Sequence, residues 1–329
     1  MGLNMGELES ELFTSKLTNF EEWALQVYRY QQAHNPVLTE YTRMIKRTAV
    51  PDRMADLCFL PASFFKTHGV ITGSFEPEAV FTSSATTGQI PSRHTVKSLQ
   101  LYRKSTLSGF SLQYGEIKDT CILALLPSYL EREGSSLVWM ADYFMQQSGH
   151  PLNGFYLNNF SQLHSTLLQL RAANQKTILI GVTFALLDFT EQYPLSFPEL
   201  IVMETGGMKG RKKEMIREEV HHLLKKGFQT SQIHSEYGMT ELLSQAYAQK
   251  DGRFNSPPWM KCVITDSTDP FTILPHGKSG VINMIDLANL HSCAFIQTAD
   301  IGRAYEDGTF EVLGRLDNSE IRGCSLMYF

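Results

Sequence analysis

Two stretches of this 329-residue chain concentrate side chains suited to phosphate and metal chemistry. The first, Val80 to His94, reads VFTSSATTGQIPSRH and sets Thr82, Ser83, Ser84, Thr86 and Thr87 ahead of Gly88. Hydroxyls and backbone N–H groups gathered in a tight turn can hold a triphosphate. The stretch lacks the GK[ST] ending of a P-loop, and a solvated Ser/Thr loop has the same composition. The second, SEYGMTE at Ser235 to Glu241, brings together an aromatic ring, a glycine, a threonine and a glutamate. Tyr237 can stack on a base, Thr240 can bind phosphate and Glu241 can ligate Mg2+ through oxygen. Equally, Tyr-Gly is a common turn, and a glutamate suits the first turn of a helix.

Further pieces follow towards the C-terminus. In TADIG, Thr298 to Gly302, Asp300 can accept both hydroxyls of a ribose. In the closing run GRLDNSEIRGCSLMYF, Arg315 can lie across the same sugar or its phosphate. Taken singly, an Asp-Ile-Gly turn and a surface arginine are ordinary. Cys324 follows a glycine and precedes a serine, whereas Cys58, Cys121, Cys262 and Cys293 have apolar neighbours and read as buried, inert thiols. An odd count of five cysteines without close pairing suits neither a disulfide framework nor a zinc knuckle. His221 and His222 are adjacent on a predicted helix rather than spaced to share a metal, so solvated or capping roles are expected. His234 reads as buried in a strand.

The elements that must hold these groups follow from periodicity. Asn19 and Glu22 form a capping-box pattern, after which Phe20, Trp23, Ala24, Val27 and Tyr30 fall on one helical face. From about residue 119, short apolar runs alternate with helical patterns: CILALL, GFYL, TILIGV, LIVMETGG and QIHSEYG. That alternation predicts an α/β fold with a mainly parallel sheet flanked by helices. Ligands in such sheets collect beyond the carboxyl ends of the strands. The loops ETGGMKGRKK (Glu204 to Lys213) and SEYGMTE both follow predicted strands, and a helix is expected after each. After Pro257-Pro258 the strands KCVITD, GVINMIDL and AFIQT, with a turn at Asp307-Gly308, predict a smaller antiparallel β subdomain. Three regions are expected: residues 1–256, a helical N-terminal region and the α/β core; 257–313, the antiparallel part; and 314–329, a short C-terminal segment carrying Cys324.

The 29 basic and 34 acidic residues are dispersed, so no basic stripe suggests a nucleic-acid partner. The acidic N-terminus lacks the order of a signal peptide, and the apolar run Ile178 to Leu187 is too short to span a bilayer. A soluble, cytoplasmic protein without a transmembrane segment is expected.

The succession TSSATTG, ETGGMKG, EYGMTE, TADIG and GRLDNSEIRG resembles the adenylate-forming superfamily of acyl-CoA synthetases, adenylation domains and luciferases, from about Phe81 to the C-terminus. With the ending SEIRGCSL, the likeness is greatest to the LuxE-type acyl-protein synthetases. The resemblance implies ATP and Mg2+ as cofactors and a fatty or other carboxylic acid as substrate. It also implies Cys324 as the acyl-accepting thiol and an acyl-reductase-like protein as partner. Residue by residue, it implies that Ser83, Ser84, Thr86, Thr87 and Gly88 enclose the pyrophosphate end of ATP. Gly206, Gly207 and Tyr237 would flank adenine, with Gly238 in the same ATP/AMP-binding set. Thr240 and Glu241 would be the catalytic phosphate- and Mg2+-binding pair, Asp300 the ribose carboxylate and Arg315 the arginine beside it.

Two departures stand out. Ala85 replaces a usual glycine, with Arg93 as a substitute for a missing cation or a plain surface arginine. The chain also stops just past the hinge position Asp317, so the usual mobile C-terminal domain and its lysine are expected to be absent. Two rival readings are a standalone acyl-CoA or aryl-CoA ligase and a weakly catalytic adenylate-binding scaffold subunit.

Overall fold

A computed structural model describes residues 5–13, 17–84, 90–127, 134–206 and 215–316. Helices α1 (Met5–Glu11), α2 (Phe20–His34) and α3 (Pro36–Met44) lead, followed by the short strand β1 (Leu60–Pro61) and helix α4 (Phe64–Thr67). The middle of the chain holds the hairpin β2 (Ala79–Thr82) and β3 (Arg93–Val96), α5 (Leu99–Tyr114), β4 (Cys121–Leu125), α6 (Ser136–Ser148), β5 (Gly154–Tyr156) and α7 (Phe160–Ala172). It continues through β6 (Thr177–Val182), α8 (Thr183–Gln192), β7 (Ile201–Thr205), α9 (Arg217–Phe228), β8 (His234–Tyr237) and β9 (Ala246–Ala248). Strands β10 (Met260–Thr265), β11 (Ser279–Asp286), β12 (Phe295–Ala304) and β13 (Phe310–Arg315) close it. The runs expected as strands all form strands.

The chain forms two compact units, one of residues 1–76 with 255–329 and the other of 77–254. This differs from the expected division, which joined the N-terminal helices to the α/β core. The physical reason lies in backbone groups of residues 289–294 that need partners. Gln31, on α2 and fully buried, donates to the carbonyls of Asn289 (2.9 Å) and Leu290 (3.1 Å) and accepts from Ala294 N–H (2.9 Å). Asn35 caps α3 through Val37 and Leu38 N–H and donates to the Ser292 carbonyl at 3.0 Å. Buried backbone groups left unpaired are costly, so these side chains bind the first helices to the C-terminal sheet.

That sheet runs β1-β12-β11-β10, with β13 also on β12; its pairs are antiparallel except the short parallel β1–β12. The expected turn at Asp307-Gly308 joins β12 to β13, closed by Tyr305 N–H to Thr309 O and Gly308 N–H to Tyr305 O. The expected capping box does not form. Asn19 is left-handed (φ 60°) with no side-chain capping bond, and the buried face of α2 is Trp23, Ala24, Val27, Tyr28 and Gln31, without Tyr30.

The second unit carries the six-stranded sheet β5-β4-β6-β7-β8-β9, parallel except for the edge strand β9. Strands β4 and β6 are buried at every position, as expected of strands covered on both faces. The chain moves from β4 to β5 in one direction, then through β6, β7 and β8 in the other. Right-handed crossovers therefore put α6 on one face and α7, α8 and α9 on the opposite one. At this reversal the helices after β4 and β6 pass to opposite faces, the place where ligands collect beyond the carboxyl ends of such strands.

Candidate active site

Side chains alternate between the faces of a strand, and register decides which of them meet. Glu204 of β7 pairs with Ser235 of β8, while Thr205 pairs with Glu236, which in turn pairs with Tyr247 of β9. One row, Glu204 and Ser235, faces α9. The other, Thr205, Glu236 and Tyr247, faces α5, whose Tyr114 ring packs edge-on against Tyr247 with centroids 5.5 Å apart.

On the α9 face, Glu204 is 8% exposed and surrounded by donors. Thr183 Oγ1 lies 2.9 Å from Oε2, Ser235 Oγ donates to Oε1 at 2.8 Å, and His221 Nε2 and Arg217 Nε stand 3.6 and 3.8 Å from Oε1. Burial works to raise the Glu204 pKa, but the His221 hydrogen bond, the Arg217 and His221 charges and the Ser235 hydrogen bond hold it below the ordinary value. It is an ionised, buried carboxylate. The expectation of solvated or capping roles for His221 and His222 is overturned for His221, which is 7% exposed. A signal was available: His221 stands three residues before Leu224 and seven before Phe228, on the apolar stripe of α9.

On the α5 face, Glu236 accepts from Thr205 Oγ1 and is 8% exposed. Burial raises its pKa to about 7, opposed by the Thr205 hydrogen bond and reinforced by the Glu204 charge. Its Oε1 lies where a Cβ on Gly238 would come within 2.4 Å, so only glycine leaves room for the carboxyl group. Tyr247 Oη and Gln245 Oε1 are buried nearby in the chain without hydrogen-bond partners among the described residues. His234, on the same face, is partly buried as expected; burial lowers its pKa to about 4, and its Nδ1 lies 3.2 Å from Tyr114 Oη.

The sequence-predicted residues fall into three groups. In the hairpin, Ser83 N–H donates to the Ser92 carbonyl at 3.1 Å and Ser83 Oγ accepts from Ser92 N–H at 2.8 Å. Ser84 is half-buried, Arg93 is exposed, and Thr86, Thr87 and Gly88 lie outside the described residues. The hairpin is tied to the loop after β4 by Thr82 N–H to Gly134 O at 2.8 Å. It is also tied to the SEYGMTE turn, because the buried His94 of β3 places Nδ1 2.8 Å from the Thr240 carbonyl. This bond brings Ser83 and the Thr240–Glu241 pair to one end of the sheet.

The second group begins at Gly206, which ends β7 in the left-handed region (φ 69°) that favours glycine. Gly207 lies outside the described residues. Tyr237 is 9% exposed, with its ring packed edge-on against Phe254 at 5.8 Å, and the Arg217 guanidinium lies 5.0 Å from the centroid of that same Phe254 ring. Thr240 and Glu241 occupy a turn leading to β9, not the helix expected there, and Glu241 is 5% exposed. The chain has too few residues between β8 and β9 for a crossover, so it returns antiparallel. The apolar segments GVTFALL and Trp139 to Phe144 contribute buried core residues, among them Phe184, Leu186 and Phe144.

The third group lies in the other unit. Asp300 and Arg315 are directly opposed across β12 and β13, with Arg315 Nε 3.8 Å from Asp300 Oδ1 and side-chain exposures of 17% for Asp300 and 78% for Arg315. Cys324 and Asp317 lie outside the described residues. The remaining cysteines are buried, as expected, and burial pushes Cys121 and Cys293 up to about 12 and raises Cys58 and Cys262.

A family model described as "Acyl-protein synthetase, LuxE" matches residues 11–328. The chain belongs to the LuxE family of acyl-protein synthetases. A curated relative of this LuxE chain, the long-chain-fatty-acid–luciferin-component ligase of Vibrio harveyi, is 25% identical over 93% of the chain and 89% of its own length. Among solved structures, 2-hydroxyisobutyryl-CoA ligase in complex with 2-HIB-AMP and CoA matches with a TM-score of 0.68 at 12% identity, over 96% of this chain and 70% of that one. ATP-bound MatB from Rhodopseudomonas palustris matches with a TM-score of 0.57 at 15% identity, over 74% of this chain. The LuxE chain spans about half, 49%, of that MatB chain. The fold is thus that of adenylate-forming ligases. Among the described residues, no helix is long and apolar enough to cross a membrane.

Proposed function

We propose that this LuxE-family chain uses ATP to convert a carboxylic acid, of the fatty class, into an acyl-adenylate and then receives the acyl group on Cys324. A carboxylate oxygen attacks the α-phosphorus, pyrophosphate leaves, and the mixed anhydride remains. The Cys324 thiolate then attacks the acyl carbon, AMP leaves, and the thioester passes its acyl group to an acyl-reductase-like partner. Dividing the transfer in this way replaces one difficult displacement by two easier ones. The observation that carries the reading is the His94 bridge to the Thr240 carbonyl, which joins the hydroxyl-rich hairpin to the EYGMTE turn at the ligand-binding end of a parallel sheet.

The residues divide the work. Ser83 and Ser84, with Thr86, Thr87 and Gly88, would enclose the β- and γ-phosphates, and Thr240 would hold a phosphate oxygen. Gly206, Gly207, Tyr237 and Gly238 would bound the adenine, while Asp300 and Arg315 would take the ribose. Mg2+ is commonly held by one or two carboxylates plus phosphate oxygens and water, a requirement that Glu241 suits. Bound there, it would neutralise charge developing on the phosphates. Elimination supports Cys324 as the thiol: the other four cysteines are buried, and burial disfavours their thiolates.

The test is incubation with ATP, Mg2+ and radiolabelled fatty acid in the absence of coenzyme A. Protein-bound label released by hydroxylamine is expected. Cys324→Ala should abolish it while fatty-acid-dependent ATP–pyrophosphate exchange persists. Label that appears only on added coenzyme A would instead make the chain a coenzyme A ligase.

A further inference from the structure

Thr183 opens α8 directly after β6, at the reversal of strand order. Its hydroxyl has a single proton and two acceptors: Glu204 Oε2 at 2.9 Å and the Gly206 carbonyl at 2.6 Å. Both acceptors belong to the neighbouring strand β7 and the turn that ends it. Thr183 is 4% exposed, so water does not compete freely for either contact.

Glu204 is held in turn from several directions. Ser235 donates to it from β8, and His221 and Arg217 approach from α9. One carboxylate on β7 therefore ties together α8, β8 and α9, while the Thr183 hydroxyl shares its one proton between that carboxylate and the Gly206 carbonyl. A buried ionic network is a poor source of net stability, since well-packed apolar residues often serve as well or better. Its distinctive capacity is to fix direction, because hydrogen bonds are aligned whereas apolar contacts are not. What is fixed here is a glycine carbonyl at φ 69°, a conformation with little steric constraint of its own.

We infer that Thr183 is a positioning residue for ATP, orienting the Gly206 carbonyl through a hydroxyl whose one proton is shared between that carbonyl and Glu204 Oε2. The inference rests on the proposal that Gly206 bounds the adenine. It assigns to Thr183 no contact with the reacting atoms, only control of how the nucleotide end is received.

The experiment is fatty-acid-dependent ATP–pyrophosphate exchange by the full chain, comparing wild type, Thr183→Val and Thr183→Ser. Valine keeps the shape and removes the hydroxyl; serine restores it. Losing one hydrogen bond in a charged network should raise the KM for ATP about tenfold in Thr183→Val. The KM values for fatty acid and pyrophosphate should stay within about twofold, and Thr183→Ser should return the ATP KM to within about twofold of wild type. An unchanged ATP KM in Thr183→Val, with wild-type exchange intact, overturns the inference and leaves the adenylation proposal standing. So does a parallel rise in all three KM values, or a serine variant as impaired as the valine one. A wild type that exchanges no label defeats the adenylation proposal and this inference with it. Should Thr183→Val not fold, Thr183→Ala supplies the same comparison.

Discussion

Replacing Glu236 by glutamine removes an ionisable proton from the α5 face of the sheet while keeping an oxygen to accept from Thr205. The folded pKa of Glu236 is raised from 4.5 to about 7 by burial, with the Glu204 charge adding to it. Below the unfolded value both states carry the proton and the group costs nothing. Between there and about pH 7 the unfolded chain releases the proton and the folded chain keeps it, so stability falls as pH rises. At 1.36 kcal/mol per unit, the loss reaches about 3 kcal/mol by pH 8. Glu236→Gln has no such proton to lose. The assay is urea unfolding followed by tryptophan fluorescence at several pH values from 4.5 to 8, for both proteins. The stability of Glu236→Gln relative to wild type should climb by about 3 kcal/mol across that range, most of it below pH 7. A difference that stays flat from pH 4.5 to 8 refutes the reasoning, since it would mean that Glu236 titrates alike in both states.

Three other substitutions test the geometry. Gly238→Ala drives a methyl to 2.4 Å from Glu236 Oε1 and should lower unfolding free energy by about 1–3 kcal/mol, a loss reduced when Glu236→Ala is added. Gln31→Leu leaves the carbonyls of Asn289 and Leu290 and the N–H of Ala294 without their side-chain partner; denaturant titration should show a loss of about 2–4 kcal/mol. His94→Phe breaks the bridge to the Thr240 carbonyl and should cut kcat for pyrophosphate exchange by about tenfold or more. His94→Gln, which retains a side-chain donor, should lose less.

Much of the fold is legible because its signals are local. A run such as TILIGV at Thr177 to Val182 is apolar throughout because both faces of β6 are covered, and that pattern needs no knowledge of its neighbours. The hairpin at Asp307-Gly308 is equally local. Local signals fail where two states compete within one segment. Asn19 has the residue type of a helix cap and the spacing to Glu22, yet it adopts a left-handed conformation without a capping bond. SEYGMTE ends in a turn rather than a helix because the next strand is antiparallel and close in sequence.

The order of motifs, their residue types and the alternation of strands and helices were determined by sequence alone, and with them the superfamily resemblance and the named site residues. Tertiary structure decided which side chains share a face and which buried groups answer one another. Glu204 and Glu236 are two carboxylates on adjacent strands, yet register sends one to the donors of α9 and the other to a face where burial raises its pKa to about 7. Likewise Gln31 and Ala294 are 263 residues apart, and only folding makes them partners. Periodicity is written within a segment, whereas hydrogen-bond pairing between segments depends on register and burial, which no single segment contains.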